Sequence, residues 1–302
     1  MADQFCRSQL HEIQVIAETH RTTLFTISIL HFLFSPVAII GNALAITALW
    51  KTSSLPTNMR RLLLSLGFSD LAVGLLAQLM LGVAANITAD EHGDNLDVLC
   101  PILYTSCRFL LYFLAFASFL NLITIAAERL LAISFHLRYN ELVTSKRVII
   151  VLVAIWIASC VPPAFAFVNF NLFVTVTMIF LSVGFPLTTF AYFRIYKAAR
   201  YHQNQIHQQN SQATILFRER KSAFNVVYIY AVFAVCYLPH YCSVLSLMIT
   251  DSSSDSLEVS LVTQFFVLLN SSLNPLVYFW RYREVRQSIK NTLKRHCCTA
   301  SE

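Results

Sequence analysis

Seven long apolar runs constrain this chain more than any other feature: residues 24–50, 58–84, 99–131, 147–168, 171–200, 220–250 and 258–280. A bilayer core of about 30 Å needs about 20 mostly apolar residues per helix, and each run is long enough. All but the fourth exceed that length, so tilt or extension beyond the membrane is expected. The runs are rich in Leu, Ile, Ala and Phe without strict alternation. An outer-membrane barrel would instead show strands of about ten residues alternating in polarity. Helices are therefore predicted, because a spanning backbone must satisfy its own hydrogen bonds. Composition agrees: 13% of the 302 residues are charged and 56% are hydrophobic, against about 25% charged in soluble domains. The predicted fold is an all-α membrane protein, a seven-transmembrane helix bundle over residues 23–281. An outer N-terminus (1–22) precedes it, and a cytoplasmic amphipathic helix and tail (282–302) follow.

Charge sets the orientation. All of the 22 Lys and Arg residues except Arg7, Arg21 and Arg108 fall on the side that seven spans assign to the C-terminus. The positive-inside rule then places the N-terminus outside and the C-terminus in the cytoplasm. Asp90, Glu91, Asp94, Asp97, Asp251, Asp255 and Glu258 lie in outer loops. The net charge of +6 is therefore an inner rim facing anionic lipid, not a nucleic-acid surface. Residues 1–22 have no apolar core, so no cleavable signal peptide is expected and span one serves as the anchor.

Intramembrane ionisable residues are costly and are functional suspects. Asp70 lies inside "LLLSLGFSDLAVGLL", Arg108 in "YTSCRFLLYF", and Glu128 and Arg129 in "LITIAAERLLAIS". A bare carboxylate at the position of Asp70 would cost at least ~3 kcal/mol. It needs a cation, a proton or several donors. Asn42, Ser118, Asn270, Ser271 and Asn274 lie at matching depths of spans one, three and seven, and their convergence on Asp70 would explain the polar run "NSSLNP" within an apolar segment. The alternative is polar glue between helices with no signalling role. Pro186, Pro239 and Pro275 each remove a helix donor, and the last two are candidate hinges.

These residues resemble the rhodopsin-like (class A) G-protein-coupled receptors. Gly41–Asn42 in span one, "LSLGFSD" in two, "ERL" in three, Trp156 in four, "CYLP" in six and "NPLVY" in seven carry the resemblance in order. It implies that Asp70, Ser118, Asn270 and Asn274 form a sodium pocket, sodium being an allosteric ligand and the chain needing no other cofactor. It implies that Arg129 is a switch paired with Glu128 and with Glu219. Phe233 and Tyr237 would couple the ligand pocket to span six, and Tyr278, with Tyr192, would swing in to support the active state. The partners implied are a heterotrimeric G protein, an extracellular small-molecule or lipid ligand, and the lipids of the plasma membrane. After span seven, Val285, Ile289 and Leu293 recur among basic residues, an interfacial helix. Cys297 and Cys298 behind it are candidate palmitoylation sites. Asn86, in "NIT", is the one sequon placed to face outward.

The chain departs from the family pattern in several places. No Cys lies between Cys160 and Cys236, so the usual bridge to the second outer loop does not form. That loop shrinks to "AFVNFN", similar to the melanocortin, adenosine, cannabinoid and lysophospholipid receptor group. Cys6, Cys100 and Cys107 leave another outer bridge open. Tyr237 replaces the usual Trp of span six, and Leu130 the usual Tyr beside Arg129. Leu111 stands where amine receptors keep an Asp. Span seven has no Lys between Val259 and Tyr278 to hold retinal. Met80, Tyr104 and Arg108 replace the melanocortin acids, and Val244 replaces the adenosine-binding Asn. The candidate ligand-binding set is Arg108, Leu111, Tyr112, Tyr237, His240 and Tyr241. An Arg above an aromatic cleft suits an anionic lipid or small acid. Snorkelling of Arg108 to the outer interface is its plainer reading, and a nucleoside or peptide ligand stays open.

A multi-spanning transporter is the competing class. It would need a polar pathway, and no duplicated half or pair of broken helices is found. A receptor fold without G-protein coupling is opposed by Arg129 and "NPLVY". No metal-ligand spacing, phosphate loop or nucleophile–base set suggests an enzyme.

Overall fold

The computed structural model describes residues 18–51, 55–89, 96–135, 138–167, 169–206, 213–249, 254–281 and 286–287. The described secondary structure is helical, with no strand among the described residues. Seven helices are long and apolar enough to cross a membrane. We number them α1 (Arg21–Lys51), α2 (Thr57–Ala89), α3 (Leu96–Ser134), α4 (Ser145–Ala164), α5 (Phe170–Ile206), α6 (Ala213–Ile249) and α7 (Ser254–Arg281). A short helix, Tyr139–Leu142, joins α3 to α4 at the end of the bundle expected to be the inner one.

The bundle closes on itself. α1 packs on α2 and α7, α6 on α5 and α7, and α3 on α2, α4 and α5. α3 is the central rod: 56% of its most apolar stretch is buried, against 28–33% in the other six. The lipid-facing sides expose large apolar residues such as Leu33, Ile150, Phe190 and Val235, as expected where hydrocarbon is the solvent.

Small residues set the closest approaches, since lipid supplies no hydrophobic drive between helices. A Cβ on Gly41 would lie 2.9 Å from the ring of Pro275, and one on Gly74 would lie 2.9 Å from Ala38. These two glycines let α7 and α2 close onto α1. Residues Val73–Gln78 of α2 form a π-helical turn. Such a turn releases carbonyls from the i→i−4 ladder. Gly74 O accepts a hydrogen bond from Ser35 Oγ at 2.9 Å, so α1 takes up one of them. The link from α4 to α5 is as short as expected: a single 3-10 turn, Phe165–Phe167, separates Ala164 from the start of α5.

One helix carries both Cys100 and Cys107, about 10 Å apart along its axis. Disulfides need Cα atoms within about 7 Å, so these two do not bridge each other, and Cys107 is a buried free thiol. Cys6, Cys297, Cys298 and the tail from 288 lie outside the described residues, as do the side chains of Cys100, Tyr104 and Glu219. Asn86 is exposed near the C-terminal end of α2.

Candidate functional site

Asp70 is fully buried in the middle of α2. Its firm donors come from α7: Ser271 Oγ donates to Oδ1 and Asn274 Nδ2 to Oδ2, each at 2.8 Å. Ser118 Oγ reaches Oδ1 only at 3.5 Å, the weak limit for a hydroxyl donor. Ser118 also lies 3.0 Å from Ser69 Oγ, which donates to Leu66 O. Two hydroxyl protons thus serve three acceptors, and α3 holds the carboxylate more loosely than α7 does.

Pro275 explains how α1 joins. Proline has no N–H, so the carbonyl of Ser271, four residues back, lacks its helical donor. Asn42 Nδ2 supplies one, bonding Ser271 O at 2.9 Å and its own Ala38 O at 2.9 Å. The polar run in α7 therefore does two jobs: its side chains donate hydrogen bonds to Asp70, and its opened backbone receives α1.

Asn270 faces no hydrogen-bond partner. Both of its amide atoms are buried and unbonded, as are Asn42 Oδ1, Asn274 Oδ1 and Asn121 Oδ1. Buried polar atoms without partners are rare in native interiors and point to an ion or water. The donor set fits a hard cation, which prefers oxygen ligands: the Asp70 carboxylate with the oxygens of Ser118, Ser271, Asn270 and Asn274.

An aromatic column rises beside this cluster. Phe233 is fully buried and stacks on Phe119 (5.2 Å, 3°) and on Tyr237 (3.9 Å, 25°). Phe185 joins Phe233 at 5.9 Å and Tyr241 at 6.0 Å, and Tyr241 pairs with Ser182 at 2.8 Å. Below, Phe233 meets Tyr230 at 6.4 Å, and Tyr230 stacks on Tyr192 at 4.4 Å. The Tyr192 hydroxyl ends the column on Leu122 O of α3 at 3.0 Å. Gly184 makes room for Phe119: a Cβ there would lie 2.7 Å from the ring.

At the inner end Glu128 and Arg129 are nearly fully buried and form a two-pronged ion pair through Nε and the terminal guanidinium nitrogen. Tyr139 of the short inner helix also donates to Glu128. Burial, and next the Glu128 charge, push the Tyr139 phenol above the usual tyrosine range. Asn58 Nδ2 bonds Val143 O at 2.8 Å, which fixes the short helix against α2. Arg129 thus pairs with its neighbour Glu128. Tyr192 and Tyr278, expected to swing inward, are already buried at 2% and 1% exposure.

The candidate ligand residues separate into three groups. Tyr112 and His240 meet at 3.4 Å between α3 and α6, and His240 Nδ1 lies 3.3 Å from Thr263 Oγ1 of α7, which also pairs with Ser243 at 2.9 Å. Tyr112 stands edge-on to Phe173 at 4.8 Å. Tyr237 and Tyr241 belong to the aromatic column. Leu111 is buried beside Val73, Ala77, Leu114 and Leu268, and Arg108, one turn above, is half-buried. Tyr139, Phe119 and Thr263 are site residues that the sequence does not mark. Ser271 was visible among the α7 candidates, since it precedes Asn274 by one turn. No spacing signal marks Tyr139, whose partner is fixed by the turn after α3.

The family model described as 7 transmembrane receptor (rhodopsin family) matches residues 41–278. Among curated relatives, adenosine receptor A2a of Homo sapiens is 28% identical over 313 residues, covering 88% of this chain and 71% of the relative. Adenosine receptor A2b of Mus musculus is 26% identical over 319 residues, covering 90% and 91%. That of Gallus gallus is 26% identical over 318 residues, covering 92% and 91%.

Proposed function

The chain belongs to the seven-transmembrane receptor (rhodopsin) family, and from this we propose that it converts binding of an extracellular ligand into outward movement of α6 and activation of a heterotrimeric G protein. It is a receptor and not an enzyme. The observation that carries the reading is the unbroken ring column from Tyr241 through Phe185, Phe233 and Tyr230 to Tyr192. It links the outer half of α6 to the backbone of α3 two turns before Arg129. A displacement of Tyr237 or Tyr241 by a ligand repacks rings that have no free space, and close-packed interiors transmit strain. Arg129 suits partner exchange, with a delocalised charge and five donors. Opening the inner end of α6 would expose it to the G protein.

The reading places the receptor in the plasma membrane with its N-terminus outside, as the basic residues direct. Sodium is its allosteric ion, held by Asp70 with Ser118, Ser271, Asn270 and Asn274. The ion would supply the charge that the carboxylate lacks, favouring the closed state. The proposed ligand is an anionic lipid or small acid, its head near Arg108 and its body against Tyr112, His240 and Tyr241. A nucleoside is the second reading, favoured by the adenosine receptors among the relatives.

A cell-based G-protein dissociation panel tests both, with arms for anionic lipids, small carboxylic acids and nucleosides. The first reading expects a response to an acidic agonist that Arg108→Ala abolishes and surface expression does not explain. An unchanged response in that variant rejects the role of Arg108. A response to nucleosides alone selects the second reading. Silence of Arg129→Ala under any agonist is expected in either case.

A further inference from the structure

We propose an intramembrane binding site on the lipid side of the seam between α5 and α6, for a lipid that carries a hydroxyl in the middle of its hydrocarbon tail. Ser182 Oγ of α5 and the Tyr241 hydroxyl of α6 pair there at 2.8 Å. Ser182 is exposed and Tyr241 is half-buried. One turn to either side of the pair, Ile179 and Pro186 on α5 and Leu238 and Leu245 on α6 are exposed as well. The two hydroxyls thus form a polar spot in an apolar surface that faces hydrocarbon.

Pro186 is the deciding residue. It has no N–H, so the carbonyl of Ser182, four residues back, loses its helical donor. At Pro275 the same loss is met by Asn42. Here no side chain among the described residues donates to Ser182 O. The Ser182–Tyr241 pair uses one of its two hydroxyl protons, whichever group donates, and the other is left to a further acceptor. The seam therefore presents an acceptor and a donor together. Hydrocarbon offers neither group a partner, and an unmet polar group there is strongly unfavourable. A ligand hydroxyl donates and accepts at once, so it meets both.

Depth selects the kind of lipid. Ser182 and Tyr241 lie within ~5 Å of the midpoints of their spans, Asn171–Ala198 and Val226–Ile249. The hydrocarbon half-thickness is about 15 Å, so a head-group hydroxyl lies too far out and a hydroxyl part-way down a tail reaches the pair. Charge excludes an ionic group. From Phe170 to Phe193 and from Ser222 to Ile249, α5 and α6 contain no Lys, Arg, Asp or Glu. Tyr241 is shared with the site proposed around Arg108, and its ring meets Phe185, which meets Phe233. An occupied seam therefore bears on the ring column, whose signalling role rests on the proposed function. The binding itself does not rest on it and is tested through Ser182 and Pro186, which that other site does not use.

The full-length receptor is placed in nanodiscs holding equal amounts of phosphatidylcholine with a 12-hydroxystearoyl tail and with a plain stearoyl tail. Lipids retained on the protein are identified by native mass spectrometry. The hydroxylated lipid is expected to be enriched about fivefold, the gain of one neutral hydrogen bond. A 2-hydroxystearoyl tail, with its hydroxyl beside the head group, is expected to show no enrichment over stearoyl. Ser182→Ala removes the hydroxyl pair, and Pro186→Ala returns an N–H to the Ser182 carbonyl. Each is expected to bring the two lipids to equal retention. Arg108→Ala is expected to keep the full enrichment, which separates a failure of the Arg108 reading from a failure here. Thermal melting shows which variants are folded, and either of the two α5 variants carries the test if the other is not. Equal retention of the two lipids by wild type, equal enrichment of the 2-hydroxystearoyl lipid, or full enrichment in the folded α5 variants overturns the proposal.

Discussion

Glu128 accepts from two directions at once, from Arg129 beside it and from Tyr139 across the inner turn. The Tyr139 phenol therefore clamps Glu128, the acid that in the proposed mechanism restrains Arg129. Its pKa is raised, first by burial and then by the Glu128 charge. A raised folded-state pKa contributes stability that is fully present below the unfolded value of about 10 and is lost as pH rises through the folded value. Melting temperature is thus expected to fall above about pH 10, and the fall to be smaller in Tyr139→Phe. At neutral pH that variant loses one hydrogen bond to a charged acceptor, about 1.5–3 kcal/mol, and is expected to show higher basal G-protein activation. A basal rate equal to wild type would remove Tyr139 from the latch. Gly184 is the second residue whose size decides something. Gly184→Ala drives a methyl into the Phe119 ring, and overpacking of this kind costs about 1–3 kcal/mol. The double variant with Phe119→Leu is expected to recover most of the loss in a thermal melt.

Among the elements, α7 is the one on which the site depends. Its proline frees the Ser271 carbonyl, Asn42 captures it, and the same turn points Ser271 and Asn274 at Asp70. Asn42→Leu keeps the volume and removes the donor. It is expected to destabilise by about 1–3 kcal/mol, the penalty for an orphaned buried carbonyl, measurable as loss of melting temperature. Asp70→Asn has a different signature. It removes the buried charge but sets an amide donor against Asn274 Nδ2 unless one side chain flips. Exchange of choline for sodium in the buffer is expected to raise the melting temperature of wild type by preferential binding to the folded state, and to leave Asp70→Asn unchanged. An equal sodium shift in both would dismiss the pocket. This cluster was legible in outline, because a carboxylate in hydrocarbon demands donors and the chain offers few. The division of labour was not legible. Asn270, Ser271 and Asn274 were all expected near the carboxylate; Ser271 and Asn274 bond it while the Asn270 amide bonds nothing, since a one-residue step on a helix turns a side chain by about 100° and hydropathy does not record rotation. The π-helical turn after Asp70 was equally hidden, being a matter of backbone register and not of residue type.

For the molecule as a whole, seven apolar runs translated directly into seven helices because bilayer thickness imposes a length that composition alone reveals. Their ends were less legible. The sixth run, 220–250, corresponds to a helix that begins at Ala213, and the third, 99–131, to Leu96–Ser134. Beyond the hydrocarbon a helix continues on polar residues that carry no apolar signal. Of the aromatic column, the sequence marks Phe233, Tyr237, Tyr241 and Tyr192; Phe119, Phe185 and Tyr230 look like ordinary lipid-span residues until packing places them. We propose that this bundle carries a signal to Arg129 and from there to a G protein. The most direct test is nucleotide exchange on a panel of Gα subunits by the purified receptor in nanodiscs. Exchange above that with empty nanodiscs is expected for at least one Gα, abolished by Arg129→Ala and preserved by the lipid-side variant Cys242→Ser. Rates equal to empty nanodiscs across the panel, or an Arg129→Ala variant as active as wild type, would contradict it.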